Sequence, residues 1–183
     1  MSVVQDEATP FPAAFLQSSG SYALPAEAKQ TFQEGLQHLQ SGDAATAVAA
    51  LSRSLEYAPA FVPGHIFLGI AQALTSRIYP AIDHLEKAAD LDPDSFAAHF
   101  TLAQLNFKLR IPQKGYESAE RARQCAVSVE QRRMLTNLLK EERERDQNGI
   151  ARPSLNKPFS LPTLVLAGSG FLAVLIAIAL RMG

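Results

Sequence analysis

The chain has 183 residues, 47 % of them hydrophobic, and a formal net charge of −1 at pH 7. This length suits one domain with a further segment, and the charge excludes the strong basic field typical of nucleic-acid-binding proteins. Cys125 is the only cysteine, which excludes an internal disulfide. We therefore expect neither nucleic acid as a partner nor a disulfide-stabilised fold.

The first 25 residues are rich in Pro, Ser, Ala and Gly and are predicted to form a flexible arm. They lack the basic stretch and apolar core of a secretory signal. Within the arm, residues 10–16 read Pro-Phe-Pro-Ala-Ala-Phe-Leu, and proline favours an extended conformation that can dock along helices. A docking segment and a disordered tail are both compatible with this composition.

Between residues 28 and 129 the sequence repeats at an interval of 34 residues, which carries Phe32 to Ile66 and then to Phe100. Small residues recur at the same interval, at Ala47, Ala81 and Gly115, and prolines recur at Pro59 and Pro93. A period of this size is typical of a stacked array of supersecondary units. Because no stretch alternates with a period of two, we expect no strands.

Each repeat is predicted to contain two helices. In the first repeat, Gly42 suits a left-handed residue after one helix and Asp43 suits the N-cap of the next. Proline ends the second helix of the first two repeats because it cannot continue the hydrogen-bond ladder. The predicted helices cover residues 28–40, 44–57, 63–74, 79–91, 96–109 and 112–126.

A seventh helix is predicted to follow the repeats, since stacked arrays need a polar cap. Residues 128–131, Ser-Val-Glu-Gln, have the pattern of a capping box. The helix has one apolar stripe, which predicts that it covers the third repeat. The stripe consists of Met134, Leu135, Leu138 and Leu139.

The repeat resembles the tetratricopeptide repeat (TPR) family, whose small residues and proline fall at fixed positions. The matching residues are Gly35, Ala47 and Pro59 in the first unit, Leu68, Gly69, Ala81, Ala88 and Pro93 in the second, and Leu102, Ala103 and Ala122 in the third. The third unit departs from the pattern at Gly115 and Val127. The resemblance implies an all-α helical-hairpin solenoid of three TPR units and a capping helix over residues 26–146.

In proteins similar to this one, the first helix of each repeat lines a concave groove. A well-known subgroup binds a terminal carboxylate there with Lys, Arg and Asn, but Phe32 and Leu36 replace two of these residues. We therefore expect an apolar groove that binds an apolar peptide or helix, unless these side chains only pack between helices. The candidate groove residues are Phe32, Leu36, Leu39, Ile66, Ile70, Phe100, Gln104 and Phe107, and Leu74 and Lys108 fall on the same side.

Catalytic and metal-binding patterns are missing from the sequence. His65 and His99 occupy equivalent repeat positions, where the family often places a packing aromatic, so they are interpreted as structural. His38 and His84 have no Cys, Asp or His at ligand spacing. Phosphate-binding loops and nucleophile motifs do not occur. We expect no enzymatic activity, no cofactor and no metal site.

Residues 161–180 carry no charge and are apolar on all sides. A helix of about 20 residues spans the roughly 30 Å of a bilayer core, so this segment is predicted to be a transmembrane helix after a linker over 147–160. Only residues 181–183 follow it, which indicates a tail anchor inserted after synthesis. A buried core helix and a cleaved lipid-anchor signal are the weaker alternatives.

Basic residues flank the predicted membrane helix mainly on its N-terminal side, which favours a cytoplasmic repeat domain by the positive-inside rule. The alanine-rich repeats favour a bacterial inner membrane. Ser169, Ala173 and Ala177 give the membrane helix one face of small residues, which predicts a homodimer through close packing. The simpler interpretation is that small residues are common in membrane helices.

Together these features predict a single-pass membrane protein that acts as an adaptor or scaffold by binding a protein or peptide in its groove. An assembly or chaperone-like factor for membrane or secretion complexes is the main alternative. A membrane-bound enzyme subunit without a site of its own is a third.

Overall fold

The computed structural model describes residues 24–148, and these form seven α-helices and no strand. The observed ends of the six repeat helices lie within two residues of the predicted ones, so the all-α repeat prediction is confirmed. The helices are α1 (Ala26–Gln40), α2 (Ala44–Tyr57), α3 (Val62–Leu74), α4 (Ile78–Leu91), α5 (Phe96–Lys108), α6 (Pro112–Cys125) and α7 (Val129–Asn148).

Several predictions concern residues outside 24–148. They are the docking of residues 10–16, the linker beyond residue 148, and the membrane helix over 161–180 with its packing residues Ser169, Ala173 and Ala177. Among the seven helices described here, none is both long enough and apolar enough to cross a membrane.

The same tight turn joins the two helices of every repeat. In the first repeat the N–H of Asp43 donates to the His38 carbonyl (2.9 Å), and the Asp43 side chain accepts from the Thr46 N–H (3.0 Å). The turn needs one left-handed residue, and the three residues at this position are Gly42 (φ 81°), Ser76 (φ 62°) and Arg110 (φ 61°). Gly42 and Asp43 therefore have their predicted roles. The side chains of the other two residues make this conformation cost about 1–2 kcal/mol each.

Two hydrophobic clusters form the core, and α3 contributes to both. The first cluster joins α1, α2 and α3 around Leu51 and Phe67. The second runs from α3 to α7 and includes Leu85, Phe96 and Phe107. Because successive helices from α1 to α6 pack on one another and α3 belongs to both clusters, the three repeats form one continuous array.

Glycine lets the paired helices approach closely in the first two repeats. A Cβ atom added at Gly35 would lie 2.6 Å from Cγ of Leu51, and one added at Gly69 would lie 2.8 Å from Cγ of Leu85. At the equivalent positions the third repeat has alanine at both, Ala103 and Ala119, and both are buried. In the third repeat, alanine thus replaces leucine on the second helix, and alanine replaces glycine on the first.

The seventh helix begins with the predicted capping box. The N–H of Gln131 donates to Oγ of Ser128 (3.1 Å), and the N–H of Ser128 donates to Oε1 of Gln131 (3.2 Å). Leu135 is buried in the second cluster, and Met134, Leu138 and Leu139 pack against that cluster. The apolar stripe of α7 therefore packs against the second cluster.

The Gly35–Leu51 contact gives a direct test of this packing. Gly35→Ala should lower the free energy of unfolding by about 1–3 kcal/mol, because overpacking outweighs the gain in helix propensity. Leu51→Ala should cost about 2–5 kcal/mol by opening a cavity. In the double variant the added methyl group occupies space that leucine vacates, so the combined cost should fall at least 0.5 kcal/mol below the sum of the two.

Denaturant unfolding of the full chain and the three variants measures this coupling. If the stability costs of Gly35→Ala and Leu51→Ala are additive in the double variant, the small residue at position 35 is not required by Leu51.

Candidate peptide-binding groove

The predicted groove residues fall into two groups in the structure. Ile66, Phe100 and Phe107 are core residues with exposures of 1 %, 5 % and 1 %. The others reach the surface: Gln104 is exposed, and Phe32, Leu36, Leu39 and Ile70 are half-buried. Direct contact between a bound partner and the first three would require this core to open.

Helix α5 is buried on most sides, which explains the position of its aromatic residues. It packs against α3, α4 and α6. The ring of Phe107 covers Gly115, where an added Cβ would lie 2.5 Å from the ring, and it meets Tyr116 edge-on at 5.1 Å between centroids. Phe100 stacks on Phe96 at 5.3 Å. Phe107 therefore packs α5 against α6, and Phe100 is a core residue of the second cluster.

Phe32 has a similar structural role in the first repeat. Its ring meets Phe61 at 4.9 Å and Phe67 at 5.7 Å between centroids, both edge-on. Leu36 and Leu39 pack against the same cluster. The first half of the predicted groove is thus an apolar surface that is partly used to hold α1 against α3.

An open apolar cavity of about 190 Å³ lies where α3, α4 and α5 meet. Its lining includes Ile70, Ala73 and Leu74 of α3, Ile78 and Leu85 of α4, and Leu105 of α5 with Leu109 directly after that helix; Thr101, Gln104 and Lys108 are the polar members. An apolar cavity of about 150 Å³ can accept a benzene molecule. The cavity is therefore large enough to hold one aliphatic or aromatic side chain of a partner.

The rim of this cavity exposes apolar surface to solvent. Leu74 is 62 % exposed, and Ile70 is half-buried beside it. An exposed leucine next to an unfilled apolar cavity is typical of a binding surface. The walls supplied by α4 could not be predicted from sequence, because Leu85 follows the ordinary core pattern of a repeat.

The histidines at equivalent repeat positions bind backbone carbonyls. Nε2 of His65 lies 2.9 Å from the Pro59 carbonyl oxygen, and Nε2 of His99 lies 2.9 Å from that of Pro93. Since a carbonyl only accepts, each Nε2 carries a proton. This proline-to-histidine spacing of six residues recurs in the sequence and could have predicted the contact. Within residues 24–148, no cluster of three or more His, Cys, Asp or Glu residues could hold a metal ion.

Neither a known family profile nor a curated protein matches this sequence. Solved structures do match its fold. The TPR2B domain of yeast Sti1, in a complex with pHsp70, superposes with a TM-score of 0.62 at 21 % identity, over 66 % of this chain and 99 % of that one. The described helices are TPR-like helical-hairpin repeats.

Two further solved structures match over a similar share of this chain. The type III secretion translocator chaperone SycD of Yersinia enterocolitica has a TM-score of 0.61 at 14 % identity, over 67 % of this chain and 96 % of that one. The TPR domain of Sgt2 from Aspergillus fumigatus has a TM-score of 0.60 at 18 % identity, over 79 % and 99 %. Likeness at these identities concerns the fold alone.

The two groups of predicted groove residues should differ sharply in their effect on stability. Phe107→Ala should lower the free energy of unfolding by about 3–5 kcal/mol, because it removes a buried ring. Gln104→Ala, one helical turn away on the exposed side, should change it by less than about 0.5 kcal/mol. Thermal and denaturant unfolding of both variants measures this, and equal costs would contradict the assignment of Phe107 to the core.

Proposed function

We propose that the chain is a membrane-tethered, TPR-like adaptor that binds an apolar peptide or helix segment on its concave face. The observation that carries this proposal is the open cavity between α3 and α5, with the exposed Leu74 at its rim. Complexes of related folds support it, since the Sti1 domain is found with pHsp70.

The lining of the cavity indicates which chemical groups a partner would present to it. Its apolar walls would accept one aliphatic or aromatic anchor side chain of the partner. Lys108 and Gln104 lie on the third repeat and can pair with a carboxylate or a backbone carbonyl that flanks this anchor. The half-buried Leu36 and Leu39 on α1 extend the apolar surface towards the first repeat.

A chaperone-like assembly factor for membrane or secretion complexes is the second candidate. The likeness of the fold to the translocator chaperone SycD favours it. Such a factor would hold an apolar segment of a subunit and release it during assembly. Partners that are present only during assembly would distinguish it from an adaptor with a stable partner.

The membrane tether is part of the proposal and rests on the uncharged segment over residues 161–180. A tether concentrates the groove near membrane-bound partners. Basic residues before this segment favour a cytoplasmic repeat domain, and an inner bacterial membrane is the proposed location. The small residues Ser169, Ala173 and Ala177 would allow two membrane helices to pair.

Deleting residues 161–183 should release the chain from membranes, because residues 161–180 are the most apolar uncharged stretch of this length, and the other one, residues 57–76, supplies the buried helix α3. The measurement is the distribution between pellet and supernatant after a carbonate wash. Deleting residues 1–23 is the matched control and should leave the chain in the pellet. If the chain that lacks residues 161–183 stays in the pellet, the proposed membrane tether is wrong. That result would not bear on the proposed groove.

Leu74→Lys should abolish partner binding without unfolding the chain, because the residue is 62 % exposed and lies at the cavity rim. Tyr79→Lys is the matched control, since Tyr79 is 83 % exposed and does not line the cavity. Quantitative co-purification of the full chain and both variants from native cells measures the effect. Partners lost in Leu74→Lys and retained in Tyr79→Lys are expected; partners retained in both would contradict a role for the cavity.

A further inference from the structure

Two histidines of the second repeat face each other across the helix pair. Nδ1 of His65 on α3 lies 3.0 Å from Nδ1 of His84 on α4; His65 is buried and His84 is half-buried. The ring centroids are 5.2 Å apart. This is close to the largest separation that the 3.0 Å distance between the nitrogens allows, which is reached when each ring centre lies directly behind its Nδ1 atom. The two nitrogens and the ring centres therefore lie nearly on one line.

This linear arrangement fits an N–H···N hydrogen bond rather than a shared metal ion. A hydrogen bond is strongest when its donor points straight at its acceptor. Two bonds to one ion would instead converge at an angle between the rings. One proton therefore lies between the two Nδ1 atoms.

The contact of His65 with a backbone carbonyl determines which ring donates that proton. The Pro59 carbonyl accepts from Nε2 of His65, so a neutral His65 has no proton on Nδ1 and can only accept there. His84 must then carry its proton on Nδ1 and donate it. Its own Nε2 has a lone pair and is the site at which the pair can take up a further proton.

We propose that the His65–His84 pair is an acid-sensitive joint between α3 and α4 that tolerates one added proton and opens with the second. The first added proton goes to Nε2 of His84 and turns the existing contact into a charge-assisted hydrogen bond. A second proton has to go to Nδ1 of His65, where two N–H groups would face each other. The pair then separates.

Neighbouring charges favour the same order of protonation. Lys87 opposes a positive charge on His65, and Asp83 favours one on His84; both lie on α4. Burial lowers the pKa of both rings, with the Lys87 charge lowering that of His65 further while the Pro59 contact raises it. The His65 charge likewise lowers the pKa of His84, and Asp83 raises it.

These directions fix the sign of the pH effect. A histidine whose pKa is lowered on folding binds fewer protons in the folded state than in the unfolded state. Its stabilisation is complete above the ordinary histidine pKa of about 6.5 and is lost as the pH falls through the lowered value. The folded chain should therefore be less stable in mild acid, and α3 and α4 should loosen once the second proton binds. In the proposed adaptor, on which this consequence rests, the loosened α3 also carries the cavity residues Ile70 and Leu74.

Nuclear magnetic resonance of the full chain with ¹⁵N-labelled histidine tests the hydrogen bond directly, because the chain has only four histidines. Above neutral pH we expect His65 protonated on Nε2 and His84 on Nδ1, with a scalar coupling between the two Nδ1 nuclei. His84 protonated on Nε2 without such a coupling would overturn the proposal. Because this measurement involves no partner, a negative result would bear on the histidine pair and not on the proposed binding of a partner in the groove.

The pH dependence of unfolding tests the acid sensitivity. His84→Gln keeps a side chain that can donate to His65 but cannot titrate. His99→Gln is the matched control, because His99 makes the same contact with a proline carbonyl and the residue equivalent to His84 in its repeat is Ser118. Between about pH 7.5 and pH 5, the unfolding equilibrium constant of the wild type should rise more steeply than that of His84→Gln.

The two variants have to differ for the proposal to hold. His84→Gln should flatten the pH dependence clearly more than His99→Gln does. Equal slopes in the two variants would overturn the acid-sensitive joint. If His84→Gln does not fold, the coupling and protonation states of the wild type decide the question alone.

Discussion

Close packing of the two helices within each repeat is the contact on which the other features depend. In the first two repeats a glycine on one helix meets a leucine on the next, at Gly35 with Leu51 and at Gly69 with Leu85. A helix pair of this size cannot bury its apolar faces alone, so each pair needs its neighbours. Helix α3 meets this need by contributing to both hydrophobic clusters.

The same packing determines where a partner can bind. Stacking buries most of α3 and nearly all of α5, so the aromatic rings of α5 become part of the core. Ile70, Leu74 and Gln104 remain accessible and line the cavity. The proposed groove would therefore consist of one anchor pocket with a short apolar extension, rather than a continuous aromatic surface.

The 34-residue period predicted the repeat array, and local signals predicted the ends of its helices. Proline and glycine positions gave the helix ends, and the Ser128–Gln131 capping box gave the start of α7. The left-handed turn residues Ser76 and Arg110 carry no such local signal, since only their 34-residue offset from Gly42 reveals them.

The site was harder to predict, because burial depends on neighbours from other repeats. The concave positions of the family place Phe100 and Phe107 in the groove, yet the apolar residues of α5 lie around most of the helix instead of in one stripe, which is typical of a largely buried helix. That pattern could have indicated their burial. The contact between His65 and His84 joins side chains 19 residues apart on two helices, and its geometry has no counterpart in sequence spacing.

Crosslinking from inside and outside the cavity shows whether a partner's apolar anchor enters between α3 and α5. A photo-reactive amino acid is placed at position 74 or position 79 of the full chain, and native cells are irradiated. We expect position 74 to crosslink to an apolar segment of one partner, and position 79, which is more exposed but outside the cavity, to give no such crosslink. Crosslinks of that partner at position 79 and none at position 74 would contradict it.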